Sequence, residues 1–343
     1  IPLTFFIFWI VNVNKKDKNK SNEKYFLFYI LWLVFTALSG FIFGYSPGEI
    51  VNKFILSSQG LVTLFTPGFV VVDYILLKIY EKKKNYLPKF LQEREKYRVL
   101  GSLIIIGLLG IIFLQIWKGN FILTIIEVFN KLLRPAGTGR LGQTVAENRA
   151  PFLTDWINQT GQLFFWVFFT GLVLLGRRIG KTIKKRSDRG LFVIGWVIFV
   201  SGILFSRISQ DSLFNGNNFI SFLAYFGSIL VFILVTGYIY FNDQFQIKSE
   251  LIFIGSWMLF MIISARATIR VLFLMTPFFC FMGAYSLKEL YNSWRGNKDE
   301  ILKLIYGIGL IIVAILLVTS LYGFEASSRQ QAKNTGPSAG YQW

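Results

Sequence analysis

The sequence predicts an all-α fold, a polytopic integral membrane bundle of about ten helical spans, and three observations carry that reading. Of the 343 residues, 54% are hydrophobic, and the mean hydropathy is +0.53. The apolar residues come in blocks close to the roughly 20 residues that carry an α-helix across about 30 Å of hydrocarbon. The Lys and Arg residues behind the net charge of +18 gather in alternate connections between those blocks.

The apolar runs lie at 1–13, which is a truncated span, then 25–44, 61–80, 99–117, 162–176, 190–206, 219–241, 251–265, 269–287 and 304–322. A membrane β-barrel would show short segments of alternating polarity instead. Basic clusters run from Lys15 to Lys24, from Lys82 to Arg98 and from Arg177 to Arg189, with a weaker group at Lys288, Arg295, Lys298 and Lys303. Placing them all in the cytoplasm obeys the positive-inside rule and contradicts none of them. Residues 45–60, 118–161, 208–218, the turn around Arg266 and the tail after Tyr322 are then external. Residues 1–322 thus read as a partial transmembrane domain with external loop 118–161, and residues 323–343 as the start of an external soluble domain. The charge does not mark a nucleic-acid partner, because no binding fold or aromatic platform accompanies it.

The chain has no His, and its one Cys, Cys280, lies within an apolar run. Disulfides and Cys/His zinc sites are excluded within the chain, so a metal here needs oxygen ligands. The chain opens at Ile1-Pro2 inside an apolar stretch and closes at Trp343, which predicts a piece of a longer protein.

The external loop 118–161 is longer than bundle connections usually are, and loops of that length commonly carry function. Phe121 to Leu133 has helical apolar spacing suited to the membrane surface. Pro135 ends it, and Gly137, Gly139 and Gly142 follow. These glycines satisfy G-x-G-x-x-G, but without a preceding strand and following helix they read as a hinge. The polar stretch Thr144-Val145-Ala146-Glu147-Asn148-Arg149 comes next, then Asp155-Trp156, which reads as an interfacial anchor. The sequon Asn158-Gln159-Thr160 abuts the following span, and Asn19-Lys20-Ser21 falls on the cytoplasmic side, so neither reads as a modified site.

Three arginines and one aspartate stand where charge is costly. Arg266 and Arg270, four residues apart at an external turn, share a helical face where like charges repel unless an anion lies between them; snorkelling to headgroups is the competing reading. Arg207 follows the span at 190–206. Asp73 lies in the cytoplasmic half of a span, where a structural partner such as Lys78 or a group on another span suits it.

The T-V-A-E-N-R stretch, with its aromatic lead into the next span, resembles the loop motif of the archaeal oligosaccharyltransferase catalytic subunit. Ile269-Arg270-Val271-Leu272-Phe273-Leu274-Met275-Thr276-Pro277 is similar to a second motif of that family, and Gly336-Pro337-Ser338-Ala339-Gly340-Tyr341-Gln342-Trp343 to the junction with its soluble domain. The resemblance implies a multispan glycosyltransferase of the GT-C type. Such an enzyme transfers an oligosaccharide from a dolichyl phosphate or diphosphate carrier to the Asn of Asn-x-Ser/Thr in an acceptor polypeptide. It implies Mn²⁺ or Mg²⁺ held by Glu147 together with aspartates of external D-x-D motifs, hard oxygen ligands suited to those ions. It implies an acceptor loop of Thr144, Val145, Ala146 and Asn148, and a donor-phosphate arginine at Arg270. It also implies the plasma membrane of a prokaryote, of archaeal type, with an extracellular catalytic face.

Two departures qualify the match. The D-x-D motifs and the acceptor-binding soluble domain are missing from this chain, which alone should then be inactive. An added helical pair at 190–241 separates Glu147 from Arg270, so Arg207 is a rival for the phosphate role by spacing, with Arg266 as a helper. Two other classes fit the composition: another lipid-phosphate-sugar-dependent glycosyltransferase, and a lipid-linked oligosaccharide transporter or flippase.

Overall fold

The computed structural model describes residues 2–12, 19–50, 58–83, 95–119, 122, 123, 126, 150–242 and 247–334. Their helices are α1 (Pro2–Asn12), α2 (Asn19–Ile42), α3 (Pro47–Ile50), α4 (Ser58–Lys83), α5 (Glu95–Lys118), α6 (Leu153–Thr160) and α7 (Gln162–Gly180). After these come α8 (Arg186–Phe205), α9 (Phe219–Phe241), α10 (Ser249–Ala267), α11 (Ile269–Leu274), α12 (Thr276–Gly296) and α13 (Glu300–Asn334). Among the described residues no strand forms; Arg207 and Asn215 make one isolated antiparallel bridge. Each apolar run of the sequence falls on helix.

Among the described residues, four helices, α7, α8, α9 and residues 300–330 of α13, are long and apolar enough to cross a membrane. Their exposure pattern is that of a lipid-solvated protein: α9 leaves Leu223, Leu230 and Leu234 exposed, and α13 does the same with Ile305, Ile308 and Ile312. Water would penalise such continuous apolar faces, whereas hydrocarbon does not. The helices keep their backbone polar groups paired internally, as hydrocarbon demands. The chain therefore fits an integral membrane protein of all-α class.

By packing, the chain divides into two compact units. The first consists of residues 1–143, 182–185 and 238–260. Its polar centre is Asp73 on α4, fully buried. Arg98 of α5 donates to it through Nε at 3.1 Å, Ser102 Oγ donates at 2.9 Å, and the Trp9 indole of α1 donates at 3.0 Å. Three helices thus converge on one carboxylate, with Phe6 packed edge-on against Phe69 beside it. The structural role read for Asp73 stands, with Arg98 as its ion-pair partner.

The second unit comprises residues 144–181, 186–237 and 261–343. It is built on close helix contacts through small residues, the device that substitutes for a hydrophobic driving force in lipid. Gly171 of α7 faces the Met282 carbonyl of α12 so closely that any Cβ would collide with it. Gly176 of α7 faces the Trp196 ring of α8, whose Nε1 donates to the Leu172 carbonyl at 2.9 Å. Gly202 of α8 faces Ser228 of α9 in the same way. Phe168 and Phe279 close the α7–α12 contact with ring centroids 4.1 Å apart. At the far ends of these helices, Arg178 of α7 pairs with Glu289 of α12.

Two elements differ from their sequence reading. The run at 269–287 is two helices, α11 and α12, because Pro277 sits in the first turn of α12 and cannot donate a backbone hydrogen bond to continue α11. Helix α13 continues past Tyr322 to Asn334. In the stretch read as a surface helix, Phe121 to Leu133, only 122, 123 and 126 are described, and the glycine hinge 137–142 lies outside the described residues.

Removing one partner of a buried ion pair strands the other, which costs on the order of 3–5 kcal/mol. Asp73→Ala and Arg98→Ala are each expected to lower the thermal unfolding midpoint in detergent by several degrees. The double variant should lose much less than the sum of the two. Gly176→Leu, which drives a branched side chain into the Trp196 ring, should destabilise by at least about 1–3 kcal/mol in the same assay.

Candidate functional site

The candidate site residues divide by position. Thr144, Val145, Ala146, Glu147 and Asn148 lie outside the described residues. Arg270 falls on α11, and its side chain likewise lies outside them. Arg207 and Arg266 are described, and they come together at one end of the second unit.

That end is assembled from three helix termini and one loop base. Helix α8 ends at Phe205, and residues 206–218 turn the chain into α9. This turn is rich in Ser, Asn and Gly and is tied by its own side chains. Ile208 N–H donates to Phe214 O at 2.6 Å, and Gly216 N–H donates to Ser221 Oγ at 3.0 Å. Asn218 Oδ1 accepts the Ser221 N–H at 2.9 Å and caps α9. Gly216 has φ of +81°, and a Cβ there would lie 2.7 Å from Arg207 Cδ, so both backbone shape and space call for glycine.

The segment leading into α6 docks on this turn. Leu153 N–H donates to Arg207 O at 2.8 Å, and Thr154 N–H to Ile208 O at 3.4 Å. The Arg207 guanidinium lies over the Phe152 ring, 4.3 Å from its centroid, a cation–π contact. Asp155 Oδ2 accepts the Phe152 N–H at 2.7 Å and so fixes the start of α6. Trp156 is buried in the protein, with its ring 6.0 Å from that of Phe279, so its indole faces protein instead of headgroups. Asp155 and Trp156 therefore form the folded root of the loop. The sequon residues Asn158 to Thr160 lie in α6, where Thr160 Oγ1 donates to the Trp156 carbonyl at 2.8 Å.

Arg266 closes the cluster from the last turn of α10. One terminal nitrogen donates to Ser206 Oγ at 3.3 Å, and the guanidinium carbon is 5.6 Å from the Tyr225 ring centroid. Ser206 and Tyr225 are both buried. Arg266 Nε is buried and has no hydrogen-bond partner among the described residues. The charge it feels most from a neighbouring ionised group is that of Arg207, of the same sign. The helical face expected for Arg266 with Arg270 is absent, because α10 stops at Ala267 and Arg270 belongs to α11.

The arrangement can attract an anion and can hold the root of a loop in place. Ser206, Tyr225 and Phe152 were not singled out in the sequence, and nothing local marks them: 55 residues separate Phe152 from Arg207 in the numbering. A divalent cation of the Mn²⁺ or Mg²⁺ kind needs several oxygen ligands in near-octahedral array. Among the described residues no three acidic side chains gather, and the sequence contains no D-x-D. The described residues therefore do not by themselves fit the ion, and Glu147 lies outside them.

No family model matches the chain, and neither a curated protein nor a solved structure matches it.

Replacing Phe152 by Ala removes the aromatic face under Arg207, a contact of about 0.5–2 kcal/mol. Amide hydrogen exchange at Leu153 and Thr154 is expected to rise about 5- to 10-fold, while exchange in the middle of α7 stays unchanged. Gly216→Val should do the same by straining the turn that holds Arg207.

Proposed function

We propose that this chain is part of an oligosaccharyltransferase catalytic subunit, a ten-span membrane glycosyltransferase acting at the external face of a prokaryotic, archaeal-type cell membrane. The observation that carries the reading is the pair of motifs Thr144-Val145-Ala146-Glu147-Asn148-Arg149 and Ile269-Arg270-Val271-Leu272-Phe273-Leu274-Met275-Thr276-Pro277, in that order along the chain. The tie between residues 152–154 and the Arg207 turn supports it, since a loop that closes over an acceptor needs a fixed root from which to move.

In the proposed reaction the Asn amide nitrogen of Asn-x-Ser/Thr attacks the anomeric carbon of the carrier-linked sugar. A C–N bond forms, the C–O bond to the dolichyl phosphate or diphosphate breaks, and the amide proton passes to a base or solvent. The chain's part is twofold. Arg270 carries a fixed positive charge for the departing phosphate, where a guanidinium fork matches the oxyanion. Glu147, on the loop with Thr144, Val145, Ala146 and Asn148, offers the carboxylate of the acceptor side. Arg207 is assigned to loop anchoring in preference to donor binding, because its guanidinium is engaged with Phe152.

The test is glycan transfer to a sequon peptide by the complete protein in detergent with lipid-linked oligosaccharide. Glu147→Gln is expected to lower kcat by about 10²–10³, the usual loss when one preorganised polar group is removed from a transition state. A wild-type rate for this variant contradicts the reading. Arg270→Ala should raise the KM for the lipid donor and leave that for peptide nearly unchanged, and the reverse split would remove its assigned role.

A further inference from the structure

We propose that Arg266, together with Ser206 and Tyr225, forms a second anion subsite at the end of α8, α9 and α10, and that it takes a phosphate-bearing lipid headgroup. The inference goes beyond the transfer reading and does not depend on it. It starts from charge balance. A guanidinium does not lose its proton at any ordinary pH, so Arg266 carries its charge into the cluster. No carboxylate pairs with it among the described residues. Its ionised neighbour is Arg207, which opposes it. A largely enclosed charge without a counter-charge among the described residues costs several kcal/mol, and a like charge beside it adds to that cost.

Hydrogen bonding points the same way. Ser206 Oγ already donates to the Ile203 carbonyl at 3.2 Å, so toward Arg266 it acts as acceptor. Tyr225 offers a ring face to the cation and no formal charge. Nε, which forms one edge of the guanidinium fork, remains without an acceptor among the described residues in a buried position. That edge with an adjacent terminal N–H is the geometry that binds a carboxylate or a phosphate through two parallel hydrogen bonds.

The surroundings select phosphate. Tyr225 belongs to α9, whose opposite face exposes the apolar side chains Leu223, Leu230 and Leu234, a surface suited to lipid. A cation at the end of such a helix meets the level of the headgroups, where the abundant anion is a phosphodiester. The same oxyanion could arrive as free phosphate, and the experiment separates the two.

The complete protein, purified in a maltoside detergent that lacks phosphate, is given phosphatidylglycerol or inorganic phosphate. Native mass spectrometry counts retained lipid, and thermal unfolding reads stabilisation. Wild type is expected to retain one phosphatidylglycerol under activation that strips the others, and to unfold at higher temperature with the lipid present. Arg266→Gln should lower that retention at least tenfold, whereas Arg186→Gln, which removes an equal charge at the other end of α8, should keep it. Ser206→Ala, which leaves every charge in place, should lower retention in part and unfold normally without lipid. It decides the matter if Arg266→Gln does not fold. Stabilisation by inorganic phosphate that Arg266→Gln or Ser206→Ala weakens, without lipid retention, keeps the anion subsite and rejects the lipid as its source. Equal retention in all variants, or no response of wild type to either probe, overturns the subsite.

Discussion

A polar group enclosed by apolar helices has no water to satisfy it, and the second and first units both answer that constraint within their own packing. The Asp73 carboxylate draws donors from α1 and α5, so one buried charge fixes the mutual placement of three helices. The Trp196 indole N–H reaches a backbone carbonyl on α7, and Ser228 Oγ folds back onto the Tyr225 carbonyl of its own helix. Buried ion pairs of this kind add little net stability compared with apolar packing, but breaking one partner is costly, and that gives a single register to helices whose apolar faces would otherwise slide. Among the described residues, Arg266 Nε is one of the positions where the same accounting leaves a buried donor over.

Close approach is the second half of the construction. Glycines at 171, 176 and 202 let backbone and ring atoms of neighbouring helices come within contact distance. They do so along α7 and α8, which run in opposite directions for about 28–30 Å given their lengths of 19 and 20 residues. The effect is a rigid stem whose one end carries the basic residues around Arg186 and whose other end carries the Arg207 turn. Phe152, Leu153 and Asp155 tie the chain leading into α6 to that turn.

Helix positions were legible from sequence because a membrane-length apolar run leaves the backbone little choice. Pairing was less so. Lys78 was the sequence-local candidate for Asp73 beside a group on another span; Arg98 on the next helix makes the bond, and a partner 25 residues on leaves no mark in spacing. The Arg266–Arg270 face assumed one continuous helix, and the chain breaks at Thr268. Trp156 looked interfacial from its position beside a span, but a tertiary contact with Phe279 buries it. Of the candidate site, the arginines were found by type and location, whereas Ser206, Tyr225 and Phe152 are ordinary residues made relevant by folding. The helical pair at 190–241, which read as an interruption of the family pattern, supplies the turn and the tyrosine that surround Arg266.

Every role given to this end of the second unit requires it to face away from the cytoplasm, opposite the basic clusters. The direct measurement is side-specific labelling in intact cells, with Cys280 replaced by Ser and a single Cys introduced at exposed Leu213 or at exposed Lys181. A membrane-impermeant maleimide should label Leu213→Cys from outside and reach Lys181→Cys only after the membrane is permeabilised. Labelling of Lys181→Cys from outside, with Leu213→Cys protected, would invert the topology and contradict the account.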